Sequence, residues 1–373
     1  MAILQSPRPE SLGLRQKTTL GGAFDPKHNS LGWLRLLLAA VVAVTHTLQL
    51  STGHQPSLGS TQLGALAVDA FFVASGFLVA ASALRLSAPR YVWHRFLRIA
   101  PAFYLCLVLT ALVVAPALAV LNGAPARSVL DGPAPAITFV TDNAALLVRQ
   151  FEITMPPGTP GDGVMNGALW TLFYEACCYA LVLGLAVVGV LRRRRALVLV
   201  LTLAVWAATV ANAAGYEVVG QENLLRLVFV FLLGVLGHLY ADRVPVRAGV
   251  ALTALGVLLA SLLLFDDYRV LGAPAAAYLL LWAMVALPLR RQPRDDLSYG
   301  MYIYHWPVAV LLLSTPFAEL PTPLVVLGVL VAAAGVALVS WRCVENPALQ
   351  LKSARFPFSG NRTDDRAQAR LSR

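Results

Sequence analysis

The most regular feature of this chain is a succession of long apolar segments separated by short polar ones. A bilayer core about 30 Å thick is crossed by roughly 20 apolar residues in a helix. The sixth segment contains Arg226, and the eighth and ninth are short and contain proline, so these three depart most from the pattern. The pattern predicts about ten transmembrane helices, at 31–50, 64–84, 99–121, 168–191, 196–214, 224–241, 248–264, 272–289, 298–314 and 321–341.

Arginines are concentrated in alternate loops between these segments. With the N-terminus inside, the outer loops hold only Arg127, Arg149 and Arg269. This asymmetry is typical of a correct topology and predicts that both termini are cytoplasmic. The predicted cytoplasmic loops hold thirteen arginines, namely Arg85, Arg90, Arg95, Arg98, Arg192, Arg193, Arg194, Arg195, Arg243, Arg247, Arg290, Arg291 and Arg294.

Composition agrees with an all-α polytopic membrane protein. Hydrophobic residues make up 58% of the 373 residues and charged residues only 13%, whereas soluble domains carry about a quarter charged residues. This excludes a soluble enzyme, a nucleic-acid binder and a disordered scaffold, so the net charge of +10 is interpreted as topology. The four cysteines form no CxxC pair, and we expect neither a disulfide framework nor a metal site.

The polar segments divide the chain into three parts. We expect a cytoplasmic N-terminal tail at 1–30, one transmembrane domain at 31–347, and a basic cytoplasmic tail at 348–373 close to anionic lipid. The long outer loop at 122–167 contains a predicted short helix at 136–150. A loop of this length is more often functional than a simple connection.

Several ionisable residues fall inside the apolar segments, where each costs a few kcal/mol. Arg35 lies near the cytoplasmic face, and His46 follows 11 residues later on the same helix, or about 16 Å further out. Asp69 is placed roughly 8 Å and Glu175 roughly 10 Å below the outer surface. His46, Asp69 and Glu175 are therefore predicted to share a layer in the outer half of the membrane.

The two layers suggest different chemistry. An imidazole can take a proton from a hydroxyl near neutral pH, and Asp69 or Glu175 could orient it. At the cytoplasmic face, Arg35, Arg95 and Arg98 could clamp phosphate. A base and a phosphate site separated by half a membrane suggest a long, thin, phosphorylated co-substrate such as a coenzyme A thioester.

Simpler explanations stay open for each of these residues. An intramembrane histidine such as His46 often only bridges helices. Arg95 and Arg98 could simply follow the positive-inside rule. Asp69 and Glu175 could each pair with an arginine of the bundle.

Six motifs occur in a characteristic order. Together they resemble the acyltransferase-3 family of integral-membrane acyltransferases, over nearly the whole chain except the two tails. The motifs are Arg35 and His46 on the first helix, the segments 68–78 and 93–104 (with the RxxR of Arg95 and Arg98), 166–175, 298–305 and 344–347.

The resemblance implies the activity. Such proteins transfer an acyl group, usually acetyl, from cytoplasmic acyl-CoA to a sugar hydroxyl of a cell-surface polysaccharide or a glycosylated metabolite. They are multi-pass proteins of the plasma membrane and hold no permanent cofactor. Some relatives also carry a soluble extracytoplasmic domain; this chain shows none, so any second transfer step would need a separate extracytoplasmic transferase partner.

The resemblance also implies roles for individual residues. His46 matches the catalytic histidine, Arg35 its basic partner, and Arg95 and Arg98 the acyl-CoA-binding RxxR. Thr171 stands where many relatives have serine, and it keeps the hydroxyl. The other motif positions are Asp69, Ser75, Gly76, Trp170, Glu175, Ser298, Tyr299, Tyr302, His305 and Glu345.

Two other classes of function remain as alternatives. A transporter or flippase of a glycan or lipid-linked sugar could use the same buried charges as a path, although the chain has no inverted-repeat pattern. A non-catalytic membrane sensor would keep its function without His46.

Overall fold

The computed structural model describes residues 18–216, 218–289 and 291–353. The described residues leave out the tail segments 1–17 and 354–373, and also Arg290, one of the arginines on which the predicted topology rests. Among those described, the main helices are α1 (Leu20–Ala23), α2 (Leu31–Thr52), α3 (Leu63–Arg85), α4 (Ala88–Leu109), α5 (Ala115–Leu121), α6 (Ala136–Asn143), α7 (Thr171–Val187), α8 (Val190–Arg193), α9 (Arg195–Ala213), α10 (Glu222–Leu239), α11 (Ala248–Leu264), α12 (Gly272–Ala286), α13 (Ser298–Leu313), α14 (Thr322–Ser340) and α15 (Asn346–Gln350).

Shorter elements complete the chain. Strands β1 (Ser57–Leu58) and β2 (Thr61–Gln62) pair antiparallel between α2 and α3. Single π-helical turns at Thr110–Val114 and Trp341–Glu345 join α4 to α5 and α14 to α15. The 3₁₀ turns are Ala126–Leu130, Tyr268–Val270, Pro316–Glu319 and Leu351–Ser353.

The helices are those of a multi-pass membrane protein. Within the described residues, six helical segments are long and apolar enough to cross a membrane: Leu31–Thr52, Leu63–Arg85, Ala88–Leu121, Arg195–Ala213, Glu222–Leu239 and Thr322–Gln350. Four more apolar helices, α7, α11, α12 and α13, have 15 to 17 residues. Each of the ten predicted segments is helical, while the count of ten crossings stays a prediction.

Helix α4 begins earlier than predicted. The apolar pattern places its start at residue 99, but the helix begins at Ala88. Pro89 lies in its first turn, where proline's fixed φ suits a helix start. Arg95 and Arg98 therefore lie on the helix and not in a loop, and their direction is fixed by the helix.

The helix predicted at 136–150 is shorter in the structure and ends at Asn143. The Asn143 side chain accepts hydrogen bonds from the backbone N–H groups of Arg149 and Gln150 and donates to the Gln150 carbonyl. Leu146 also takes a left-handed conformation, with φ of 68°. Asparagine side chains compete in this way with helical hydrogen bonding.

Helices α3 and α10 approach with their backbones in contact. A Cβ atom on Gly76 would overlap the carbonyl oxygen of Phe231, and one on Gly234 would overlap that of Val73. Small residues at helix crossings permit this approach in membranes. The motif position Gly76 is thus explained by helix packing.

Both described ends of the chain belong to the folded bundle. The Thr18 carbonyl accepts from the Val246 N–H at 2.8 Å, and Phe24 packs edge-on against Phe77. The Trp93 indole N–H donates to the Leu351 carbonyl at 3.4 Å. Residues 18–30 and 348–352 therefore pack on the helices, and the tail boundaries at 30 and 348 stay a prediction.

The two ends also lie at the same end of the bundle, which we name the basic end. There Arg195 donates to the Leu239 carbonyl, at the end of α10, and Arg192 donates to the Leu84 carbonyl, at the end of α3. The basic end carries Arg85, Arg95, Arg98, Arg192, Arg195 and Lys352. Its identification with the cytoplasmic side stays a prediction.

Candidate active site

A cavity of about 510 Å³ opens at the basic end of the bundle. Its volume is in the range of small-molecule and cofactor sites. Helices α2, α3, α4, α7 and α13 and the C-terminal segment supply its wall. We name its cationic side chains the cavity cluster: Arg35, Arg85, Arg95, Arg98 and Lys352.

Two of these cations share one carboxylate. Asp296 lies 3.1 Å from Arg35 and 3.0 Å from Arg98, and the Ser298 hydroxyl donates to its other oxygen at 2.6 Å. Burial alone would raise the pKa of Asp296, but the two guanidinium groups and Ser298 hold it well below its usual range. The motif residue Ser298 therefore acts on the arginines through Asp296, a loop residue that sequence analysis missed.

Arg95 is positioned differently from Arg98. Its guanidinium lies over the rings of Tyr91 and Tyr179, 5.9 and 5.4 Å from their centroids. Its buried Nε atom has no hydrogen-bond partner among the described residues. Stacked on aromatic faces and without a carboxylate partner there, Arg95 is free to receive an anion.

Glu175 lies in the wall of the same cavity. It accepts hydrogen bonds from the hydroxyl of Ser75, at 3.1 Å, and from that of Tyr179. The predicted residues Ser75 and Glu175 are thus brought together with the RxxR arginines, on one cavity surface.

His46 contacts another histidine. Its Nδ1 lies 2.8 Å from Nε2 of His305, and the two rings are nearly parallel, 14° apart, with centroids 5.1 Å apart. Trp306 packs edge-on against His46 at 4.9 Å. His305 was predicted only as a motif position, and the structure shows that it contacts His46.

The hydrogen bonds of the pair select a tautomer. Nδ1 of His305 lies 3.2 Å from the Met301 carbonyl oxygen, which can only accept, so this nitrogen carries the proton. In the neutral ring Nε2 is then the acceptor, and His46 donates to it from Nδ1. Nε2 of His46 is left with a free lone pair, and no described residue hydrogen-bonds to it.

Asp69 lies elsewhere. Its carboxylate accepts from Arg226 at 2.8 Å, from Arg269 at 2.7 Å and from the Tyr268 hydroxyl at 2.8 Å. We name these four residues the Asp69 cluster; Asp69 itself is only 2% exposed. The expected orientation of His46 by Asp69 or Glu175 is thus corrected, because His305 occupies that position. Equal depth in the membrane does not fix the direction in which a side chain points.

The remaining motif residues hold the helices around the cavity. The Tyr302 and Thr171 hydroxyls are 2.7 Å apart, and Tyr302 also donates to the Ala168 carbonyl. Tyr299 donates to the Ile99 carbonyl at 2.9 Å. Trp170 packs edge-on against Tyr174.

Glu345 lies behind this wall, near Arg98. The Ser340 hydroxyl donates to one carboxylate oxygen at 3.1 Å. The other oxygen is buried and has no partner among the described residues.

The cavity and the histidine pair are separated by one aromatic side chain. Tyr302 lines the cavity together with Phe71 and Thr171. Its ring centroid lies 6.3 Å from that of His305. The cavity therefore leads from the basic end toward the histidine pair and ends at Tyr302.

Comparison with known proteins identifies the class. The model of an acyltransferase domain, Acyl_transf_3, matches residues 28–342. The chain is 28% identical over 367 residues to Nodulation protein 10 of Rhizobium leguminosarum bv. viciae, covering 87% of this chain and 94% of that protein. It is 27% identical to the putative membrane-bound transacylase BcsY of Komagataeibacter xylinus, covering 96% of this chain and 92% of the relative.

A third relative is the O-acetyl transferase of Shigella phage Sf6, which is 27% identical over 78% of this chain and 87% of its own length. No solved structure matches the chain. None of these comparisons supports the transporter alternative. The match over most of the chain confirms the resemblance seen in the motifs: the protein belongs to the acyltransferase-3 family and is a multi-pass membrane acyltransferase.

Proposed function

We propose that this protein transfers an acyl group, most simply acetyl, from cytoplasmic acyl-CoA to a sugar hydroxyl at the opposite side of the membrane. The observation that carries the proposal is that two features of the site are neighbours. A cationic cavity opens at the basic end, and a histidine pair with one free lone pair lies next to Tyr302 of the cavity wall.

The donor site is supported by charge. The cavity wall contains five cationic side chains against the two carboxylates Glu175 and Asp296. Coenzyme A carries a diphosphate and a separate phosphate monoester at one end, and arginine forks suit both. The thioester is at the far end of a long, thin arm, which can extend from the arginines toward Tyr302 in the cavity wall.

The distance between the two regions also suits such a donor. Arg35 and His46 are 11 residues apart on α2, which corresponds to about 16 Å along the helix axis. The pantetheine arm spans a distance of this order. Tyr302 stands between the cavity and His305, so the arm must displace its ring to reach the base.

His46 acts as the general base in the proposed reaction. Its Nε2 takes the proton of the acceptor hydroxyl while the hydroxyl oxygen bonds to the thioester carbonyl carbon. The carbon–sulfur bond then breaks, and the coenzyme A thiolate takes up the proton that His46 received, which returns His46 to its neutral form. His305 accepts a hydrogen bond from the Nδ1–H group of His46. This hydrogen bond holds the His46 ring in the tautomer that the proton transfer needs.

The acceptor class is the least constrained part of the proposal. One relative is named an O-acetyl transferase and another a transacylase, which favours an oxygen acceptor. A sugar hydroxyl in a cell-surface polysaccharide or glycosylated metabolite is the acceptor that we propose. A separate extracytoplasmic partner would be needed only if the acyl group is passed on in a second step.

The proposal is tested with a deletion strain restored with wild-type protein or with His46→Ala. Mass spectrometry of envelope glycans and glycosylated metabolites should find a base-labile ester that wild type restores and His46→Ala does not. The purified His46→Ala protein should still bind acyl-CoA, whereas Arg98→Ala should bind it more weakly. Full transfer by folded His46→Ala protein would refute the assignment of the base.

A further inference from the structure

The C-terminal segment contributes a charged side chain to the donor cavity. Lys352 lines the cavity together with His94, Arg95 and Arg98, although the sequence suggested a lipid-facing tail from residue 348. The segment is held there by the Trp93 indole, which donates to the Leu351 carbonyl. Lys352 is only half-buried, so it lies at the mouth of the cavity and not in its depth.

The cations of the cavity fall into two groups. Arg35 and Arg98 are paired with Asp296. Arg85, Arg95 and Lys352 form no ion pair with any residue of the described chain, and Arg85 bonds only the Ala81 carbonyl of its own helix. Cations that outnumber the carboxylates of a cavity are stabilised by an anion that the protein does not supply itself.

Position separates these unpaired cations further. Arg95 lies on α4 one turn before Arg98, stacked on Tyr179 beside Glu175. Lys352 follows α15 and lies half-buried at the mouth, whereas Arg85 is the last residue of α3 and bonds within its own helix. A donor whose thioester points toward Tyr302 would place its diphosphate near Arg95 and Arg98, and its nucleotide end at the mouth.

We propose that Lys352 forms a subsite for a phosphate monoester, and that this subsite selects donors carrying the ribose 3′-phosphate of coenzyme A. This inference rests on the proposed function, since it assumes that the cavity binds acyl-CoA. It assigns a specificity-determining role to a residue outside all six motifs. A lysine ammonium binds phosphate as a compact point charge, and loss of one charge-assisted hydrogen bond weakens binding about tenfold.

The test compares coenzyme A with 3′-dephospho-coenzyme A, by calorimetry on the purified full-length protein in lipid nanodiscs. Wild type should bind coenzyme A about tenfold more tightly than the dephospho form. Lys352→Met should reduce coenzyme A binding to the level of the dephospho form and leave the dephospho form unaffected. Lys352→Arg should preserve most of the preference, because the charge is kept.

Lys27→Met is the matched control, since Lys27 is exposed and does not line the cavity; it should bind both ligands as wild type does. If Lys352→Met keeps the wild-type preference, or wild type has none, the subsite is refuted while the proposed donor stands. If wild type binds neither form, the proposed donor fails and the subsite with it.

Discussion

The protein buries charge in two regions, and the two differ in how completely the charges are paired. In the Asp69 cluster, Arg226 and Arg269 both contact the carboxylate, and Arg269 also pairs with Asp267 at 2.9 Å. In the cavity cluster, Arg95 and Lys352 have no carboxylate partner within the described chain. A satisfied network stabilises the fold, whereas unpaired cations around a cavity indicate a ligand site.

The largest effect that tests this comparison is expected from Asp69→Asn. Removal of the carboxylate leaves Arg226 without a counter-charge and Arg269 with Asp267 alone, and breaking such a buried network costs about 3–5 kcal/mol. The thermal transition of the purified protein, followed by fluorescence-detected size exclusion, should shift far down or be lost. Asp267→Asn removes an ion pair of the same Arg269 at a more exposed site, and should cost only about 1 kcal/mol.

If Asp69→Asn instead melts like wild type and loses transfer activity, the Asp69 cluster has a functional role, and pairing does not distinguish the two regions. If both variants are equally destabilised, burial does not set the strength of these pairs.

A smaller effect is expected from a matched pair of arginine substitutions. Arg95→Met should lower the affinity for coenzyme A about tenfold or more with little change in the thermal transition, because no carboxylate loses its partner and Met keeps most of the packing on Tyr179. Arg226→Met should lower the transition temperature, because Asp69 loses a partner, and leave the affinity of the folded fraction unchanged. Calorimetry and thermal melting on both proteins check the prediction.

The reverse result for Arg95→Met would contradict this prediction. A large loss of stability in Arg95→Met with unchanged coenzyme A binding would show that the stacked guanidinium is a structural element of the bundle.

The sequence predicts which segments are helical, because apolar runs carry a strong signal. It also identifies Arg35 and His46, since charges among apolar residues need a reason, and it identifies Arg95 and Arg98 through the RxxR motif. Depth calculated from helix rise did not show that Asp69 points toward Arg226, because position along an axis leaves the rotation about it open.

Other site residues could not be predicted from the sequence, for a different reason. Asp296 and Lys352 lie in polar segments, where a charged residue is ordinary and gives no signal. Only the fold shows that each returns to the cavity. His305 had a signal, since a histidine in an apolar helix needs a partner, but the identity of that partner depended on the packing of α2 beside α13.

The smallest effect concerns pH and Lys352. Burial, followed by the neighbouring Arg98 and Arg95, lowers the pKa of Lys352 from 10.5 to about 8, against the opposing pull of Asp296. Below this pKa the Lys352 ammonium is already charged in the free protein, so binding of the anion is not coupled to proton uptake. Above it, the free protein has lost that proton, and a bound phosphate must restore it, so affinity falls as pH rises.

Wild-type affinity for coenzyme A should therefore decrease a few-fold from about pH 7 to about pH 9, a range in which phosphate monoesters are already mostly ionised. Lys352→Met should be weaker at the lower pH and nearly independent of pH. The groups that face Lys352 are Arg95, Arg98, Asp296 and His94, of which the arginines stay protonated throughout. His94→Gln tests the remaining titratable neighbour and should keep the wild-type slope. If the affinity of Lys352→Met still falls as pH rises, another group is titrating. The unpaired charge of Lys352 would then no longer distinguish the cavity cluster from the Asp69 cluster.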